Sequence, residues 1–337
     1  MDLTTPWQLG PLTVPNRVVL APLAGIGNWC VRLQARRYGA GLTVSEMVSS
    51  HAIHYENEKT LQELLRIDAR ERDPALPHGA DGIVAVQLFG QDPDIMRSAA
   101  ATAAARGADV IDLNMGCPVP KVVKTGAGAA LLKDPDTAVA VARAAAEGSG
   151  LPVTVKLRSG QRKGDVDGAA LAVRLAEEAG VAAIGFHPRS AQVHHKGVPD
   201  YALAAEVVQA LDVPVILTGG MEDAEHVHAA MEQTGAAAVM LARGGLGNPW
   251  LFAELLGERS AAPSRDEVLD ELDWMIDALR EHLGEERAGR YLRKVYPWYL
   301  GTIGEGRETN AALQQTDSIA QARDLLSALR VPVGAPS

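Results

Sequence analysis

A thiol sits in the stretch Asp112-Leu113-Asn114-Met115-Gly116-Cys117-Pro118, where an apolar run gives way to a turn. Val110-Ile111-Asp112-Leu113 reads as a short buried strand, and Met115-Gly116-Cys117-Pro118-Val119-Pro120 carries the Gly and Pro punctuation of a loop. A lone cysteine in a core behaves as a small hydrophobe. One on a loop held by a rigid scaffold can act on a bound substrate as acid or nucleophile, which makes Cys117 the first candidate. Lys156, following Val153-Thr154-Val155, is the second. An amine at a strand end forms a Schiff base, holds a fixed cation beside an anionic cofactor, or snorkels to the surface, and spacing alone does not choose. The third signal is glycine: Gly219-Gly220 and Arg243-Gly244-Gly245 follow apolar runs and let backbone N–H groups approach an anion, which implies a ligand carrying phosphate.

These residues need a scaffold that brings strand ends together. Candidate strands are Val18-Ala21, Leu42-Val44, Val84-Leu88, Val110-Leu113, Val153-Val155, Ala183-Phe186, Val215-Leu217 and Ala238-Leu241. Between them, Pro93 to Arg106, Asp136 to Glu147, Gly168 to Ala179 and Asp223 to Gln233 accept helical periodicity, with Gly107, Gly148, Gly180 and Gly235 as helix ends. Eight βα units predict an α/β fold, a (β/α)8 TIM barrel, whose active site lies at the C-terminal ends of the strands. Polar residues do stand there: Glu46, Gln87, Asn114, Lys156, Arg158, His187 and Arg189. After Leu251 the strand-like runs stop, and Asp266 to Leu283 and Glu285 to Leu300 read as amphipathic helices. The expected organisation is a barrel over 1–250 and a smaller, all-helical C-terminal domain over 251–337.

Composition narrows the chemistry. The 337 residues, 47% hydrophobic, suffice for a large core. The two cysteines, Cys30 and Cys117, lie far apart without CxxC or Cys/His spacing, so neither a disulfide framework nor a metal site is expected, and a reducing, cytoplasmic setting is. No run approaches the roughly 20 apolar residues of a membrane helix. A net charge of -10 opposes a generally nucleic-acid-coating surface, although a local basic face fits within it. That face is Arg287, Arg290, Arg293 and Lys294, at helical spacing and interleaved with Tyr291, Tyr296, Trp298 and Tyr299, a pattern suited to phosphate contacts with aromatic packing or stacking. Lys121 and Lys124, just beyond the thiol, are further candidate RNA contacts. A Rossmann GxGxxG and a P-loop are both absent.

Taken together, Ala21-Pro22-Leu23-Ala24-Gly25, Gly41-Leu42-Thr43-Val44-Ser45-Glu46-Met47, Asn114-Met115-Gly116-Cys117-Pro118 with Lys121-Val122, Val155-Lys156-Leu157-Arg158-Ser159-Gly160, His187-Pro188-Arg189-Ser190 and Gly247-Asn248-Pro249-Trp250 resemble the tRNA-dihydrouridine synthases, especially the bacterial DusB-like branch. The resemblance, running from about Pro11 to Tyr299, implies an FMN-bound barrel, a helical tRNA-binding domain and NADPH-dependent reduction of the C5=C6 bond of uridines in the D-loop of tRNA, by a protein expected to be a monomer. It puts Pro22, Leu23 and Ala24 beside the flavin, Gln87, Lys156 and His187 at its ring, and Thr218, Gly219, Gly220, Ala242 and Arg243 around the ribityl phosphate. It makes Cys117 the proton donor and Asn114, Arg158, His187 and Arg189 candidates to grip the uridine. The sequence departs from the family pattern at Leu23 (commonly Met), Asn28 (Asp), Thr218-Gly219-Gly220 (Asn-Gly-Asp) and Ala242 (Gly). Two other classes use parts of the same set: a flavin reductase of free pyrimidines, which needs no basic helical face, and a Schiff-base lyase, which needs no flavin. A non-catalytic RNA-binding scaffold would leave the polar strand ends unexplained.

Overall fold

The computed structural model describes residues 1–78 and 82–330. The last seven residues of the expected helical domain, 331–337, thus lie outside the described residues. A hairpin, β1 (Trp7–Leu9) and β2 (Leu12–Val14), turns at Gly10 with φ 57°. Then come β3 (Val18–Leu20), β4 (Leu42–Val44), β5 (Val48–Ser49), β6 (Ile83–Phe89), β7 (Val110–Met115), β8 (Val153–Arg158), β9 (Ala183–His187), β10 (Val215–Thr218) and β11 (Ala238–Leu241). All pairs in this sheet are parallel, and β11 pairs with β3, so β3, β4 and β6 to β11 close an eight-stranded barrel. The hairpin's Trp7, Leu9 and Val14 pack with Val19, Leu42, Val110, Ala183, Ile216 and Ala238 in one apolar cluster inside the barrel, sealing the end opposite the strand C-termini.

Helices cover the outside: α1 (Trp29–Arg37), α2 (Ser50–His54), α3 (Pro93–Ala105), α4 (Pro120–Val123), α5 (Pro135–Ser149), α6 (Asp167–Ala179), α7 (Tyr201–Ala210) and α8 (Ala224–Thr234). Their starts follow capping chemistry: Asp92, Asp134 and Asp223 accept backbone N–H bonds, with Pro93 and Pro135 just inside. Gly180 and Gly235 end α6 and α8 in the left-handed conformation as expected. Gly148 does not end α5; Gly150 does, in the left-handed conformation at φ 65°, while Gly148 lies against Arg97, where a side chain would meet backbone oxygen at 2.1 Å.

Beyond the barrel lie α9 (Trp250–Leu255), α10 (Arg265–Leu283), α11 (Glu285–Leu292), α12 (Tyr296–Thr302), α13 (Arg307–Gln314) and α14 (Ile319–Ala328). The single helix expected over Glu285 to Leu300 is two, since Pro297 lacks the N–H that a continuous helix needs and instead sits in the first turn of α12. Tyr296 and Tyr299 are 1% exposed, so they pack within the helical layer and are unavailable to stack on a base. No helix of the described residues is long and apolar enough to cross a membrane.

Candidate active site

Side chains alternate along a strand, so one set in each barrel strand points inward. On β7, Ile111, Leu113 and Met115 pack outward against helices while Val110 is interior; Asp112 and Asn114 follow Val110. On β8 the outward set is Val153, Val155 and Leu157, leaving Thr154, Lys156 and Arg158 inward. The same phase puts His187 of β9, Thr218 of β10 and Ala242 after β11 at the mouth. The result is a cavity of about 640 Å³ at the strand C-termini. Pro22, Leu23 and Ala24 line one side, Gln87, Asn114 and Cys117 another, and Lys156, Arg158, His187 and Arg189 a third. Thr218, Gly219, Gly220, Ala242 and Arg243 complete the wall.

The thiol loop is tied down on both flanks. Asn114 Oδ1 accepts the backbone N–H of Cys117 at 2.9 Å and of Gly116 at 3.2 Å, and the Cys117 carbonyl accepts from Ala129 N–H at 3.0 Å. Asn114 Nδ2 donates to Gln87 Oε1 at 2.9 Å, Gln87 Nε2 to Asp112 Oδ2 at 2.6 Å, and Thr154 Oγ1 to Asp112 Oδ1 at 2.6 Å. Gln87 is also held through its backbone N–H, which donates to Ser45 Oγ in the segment between β4 and β5. Cys30, by contrast, is fully buried in α1, and desolvation drives its thiol far above the usual range.

The cavity is cationic. Burial, with Arg158 adding repulsion, pushes Lys156 down to about 8, and its ammonium makes no hydrogen bond or ion pair with any described residue. Burial likewise lowers Arg158 to about 10; its guanidinium donates to the carbonyls of Ser190 and His194. Arg189 donates to Gly197 O at 2.7 Å and faces His187 Nε2 at 3.3 Å. Buried among Lys156, Arg158 and Arg189, His187 is held far below its ordinary range, hence neutral, and Nε2 is the acceptor. Glu222 is the only acid among the described lining residues.

The glycines leave no room for side chains. Gly219 has φ 101°, and a Cβ there would meet the His187 ring at 2.4 Å; Gly220 has φ 82°, and one there would meet the Tyr201 hydroxyl at 2.5 Å. Tyr201 in turn donates to Gly219 O at 2.9 Å. The backbone at this corner is therefore bare and fixed, as an anion cradle requires.

The remaining candidates lie elsewhere. Lys121, on α4, and Lys124, just after it, are exposed and outside the cavity. Arg287, Arg290, Arg293 and Lys294 share a groove with Gly25, Asn28, Glu46, Lys59 and Glu63 of the barrel. There Glu63 pairs with Arg287 at 2.6 Å, Glu286 pairs with Arg290, Arg293 donates to Thr316 O, and Lys294 donates to Gly25 O while lying 3.6 Å from the Tyr291 ring centre. The basic run is thus partly neutralised by an acid that the fold delivers from far away in sequence. Asn28 caps α1 and donates to Tyr291 at 3.0 Å.

Several lining residues lack a sequence signal as individuals: Met47, His194, His195, Met221 and Leu246. The two histidines do adjoin Lys196 in the loop after β9, and that polar cluster after a strand end is the available clue. His195 stacks on His187 with centres 6.1 Å apart, and burial pulls it down to about 4. No cluster of potential metal ligands occurs among the described residues.

With this geometry in place, comparison with known proteins gives consistent results. The family model described as Dihydrouridine synthase (Dus) matches residues 19–331. The chain is 35% identical over 319 residues to tRNA-dihydrouridine synthase B of Pseudomonas aeruginosa, covering 92% of each, and 35% identical over 327 residues to probable tRNA-dihydrouridine synthase 1 of Synechocystis, covering 95% of this chain and 88% of that one. In fold it is similar to morphinone reductase in complex with tetrahydroNAD (TM-score 0.53, 20% identity, 80% of this chain and 94% of that one). It is similar also to a variant of NCR from Zymomonas mobilis (TM-score 0.57, 18% identity, 80% and 95%). Matched along nearly all of its length by the family model and by curated relatives, the chain belongs to the dihydrouridine synthase family.

Proposed function

We propose that this protein is a tRNA-dihydrouridine synthase that binds FMN, uses NADPH as reductant, and acts as a cytoplasmic monomer on uridines of the tRNA D-loop. The observation that carries the reading is the meeting, in one cavity, of a loop thiol, an unpartnered lysine and a bare glycine corner in a chain so similar to such enzymes. FMN suits the donor set: Gly219, Gly220 and Arg243 offer backbone N–H groups and a cation to a phosphate, and Lys156 offers a positive charge to an electron-rich ring. The Thr218 and Gly220 departures leave this corner without the family's amide and carboxylate, so more of the contact falls on backbone.

When bound, the flavin supplies the hydride that reduces C6 of the uracil. The chain's own part is the proton at C5. Cys117 gives its thiol proton to C5 and is left as a thiolate in a cavity that also holds Lys156 and Arg158. Asn114 holds the loop that aims the thiol, while Arg158, His187 and Arg189, which line the same cavity, are proposed to bind the base and its phosphate. A uracil stacked in folded RNA must first be extracted, at a cost of about a few kcal/mol. Contacts from Arg287, Arg290, Arg293, Lys294, Lys121 and Lys124, in and near a helical domain from about residue 251, are proposed to offset it.

Rapid mixing of each half-reaction tests the assignment. Cys117→Ala is expected to slow the uridine step by on the order of 10²–10⁴-fold while flavin reduction by NADPH proceeds normally. Unchanged re-oxidation by tRNA would remove Cys117 from the chemistry, and slowed flavin reduction would show a structural defect instead. Cys30→Ala, in the core of α1, is the control and should leave both steps unchanged.

A further inference from the structure

The bonds that end at the thiol loop begin at Asp112, 3% exposed and beneath the cavity floor, where it touches no ligand space. Glutamine and asparagine amides can be turned end for end with almost no change in shape, so Gln87 and Asn114 do not themselves determine which end donates. An ionised carboxylate can only accept. It takes the NH₂ end of Gln87 at 2.6 Å, which turns Gln87 Oε1 to Asn114. That oxygen takes the NH₂ end of Asn114 at 2.9 Å, which turns Asn114 Oδ1 to the N–H groups of Gly116 and Cys117. Those N–H groups only donate, so the series is consistent from both ends. Reversing one member sets two like ends face to face.

We propose that Asp112 is a positioning residue whose carboxylate sets the donor–acceptor polarity of Gln87 and Asn114, and through them holds the Cys117 loop in place. It also commits one Nε2 hydrogen of Gln87 inward and leaves the other for the cavity's ligand. Thr154 fixes the carboxylate from its far oxygen at 2.6 Å. Burial pushes Asp112 up to about 6, so the acceptor-only form prevails at neutral pH. The series of bonds stands whatever the reaction; its kinetic consequence rests on the proposed function.

An asparagine at 112 can still turn its oxygen to Gln87 and its NH₂ to the Thr154 hydroxyl, so the disrupting variant is Asp112→Leu, which keeps the size and removes the acceptor. Asp112→Asn with Gln87→Glu restores the far end, because the new carboxylate accepts both from the introduced amide and from Asn114. Two readouts are taken on the purified protein: the rate at which iodoacetamide labels Cys117, located by mass spectrometry against buried Cys30, and the rate of the uridine step. Asp112→Leu is expected to label Cys117 severalfold faster as the loop is released, and to slow the uridine step by on the order of 10²-fold, the scale of an ångström-level misplacement. The double variant is expected to return labelling to the wild-type rate, although the uridine step stays slow because Gln87 no longer offers its N–H. Wild-type labelling in Asp112→Leu, or equally fast labelling in Asp112→Leu and the double variant, overturns the proposal. If wild-type protein reduces no uridine, the functional reading fails while labelling still decides the role of Asp112.

Discussion

Lys156 holds an ammonium group in a desolvated cavity beside Arg158, which is why its pKa falls to about 8. Binding the reduced flavin ring, which is anionic, favours the charged form, so the bound pKa lies above the free one. Affinity for reduced FMN should therefore be greatest below about pH 8 and decline above it as free Lys156 loses its proton. Lys156→Met should bind reduced FMN more weakly and lose that decline; anaerobic titration with reduced FMN on either side of that pH checks it, and an unchanged decline in the variant would assign it to another group. Cys117 and Lys156 are legible in the sequence because a reactive type stands where an apolar run stops. Asp112 and Thr154 are not, though Asp112 lies in the very stretch that carries the thiol. A single acid in an apolar strand has meaning only through its partners, and Gln87 and Thr154 are 25 and 42 residues away.

At the level of elements, the period of the strands is readable and the barrel follows from it. Every candidate strand is present, several extended by one to three residues at the polar end, because Asn114, Lys156, Arg158 and His187 continue the ladder while facing inward. The β1–β2 hairpin, the split between β4 and β5, and α7 escape reading: short pieces with no sustained periodicity depend on what they pack against. The glycine corner gives a prediction of this scale. Gly219→Ala should lose FMN, since φ 101° and the His187 ring both oppose a side chain. Gly150→Ala, equally left-handed at φ 65° but open to solvent, should cost about 1 kcal/mol or somewhat more in stability and keep its flavin. Flavin content and thermal melting of the two variants separate a cradle from a turn; equal flavin in both contradicts the cradle.

Across the whole molecule, the helical layer is locked to the barrel through Glu271. Its carboxylate accepts from Gln34 at 2.8 Å, Arg37 at 2.7 Å and Tyr38 at 2.9 Å, and Gln34 also donates to Tyr299 at 2.7 Å. This docking sets the groove that holds Arg287 to Lys294, and it explains why charge counting along the chain overestimates that face: Glu63 reaches Arg287 from 224 residues away. Replacing Arg287, Arg290 and Arg293 by Ala should weaken tRNA binding and flatten its salt dependence, by less than three full phosphate contacts, without changing flavin content. Glu63→Gln, freeing Arg287, should do the reverse, and filter binding at several salt concentrations reads both. If the two variants bind like wild type, the groove is a solvated surface. The central claim is met most directly by incubating the purified enzyme with FMN, NADPH and an unmodified tRNA, then digesting the RNA and weighing its nucleosides. The expected product is a uridine heavier by two hydrogens, formed by wild type and nearly absent with Cys117→Ala. NADPH consumption with no such nucleoside, or equally fast reduction of free uracil, would contradict it.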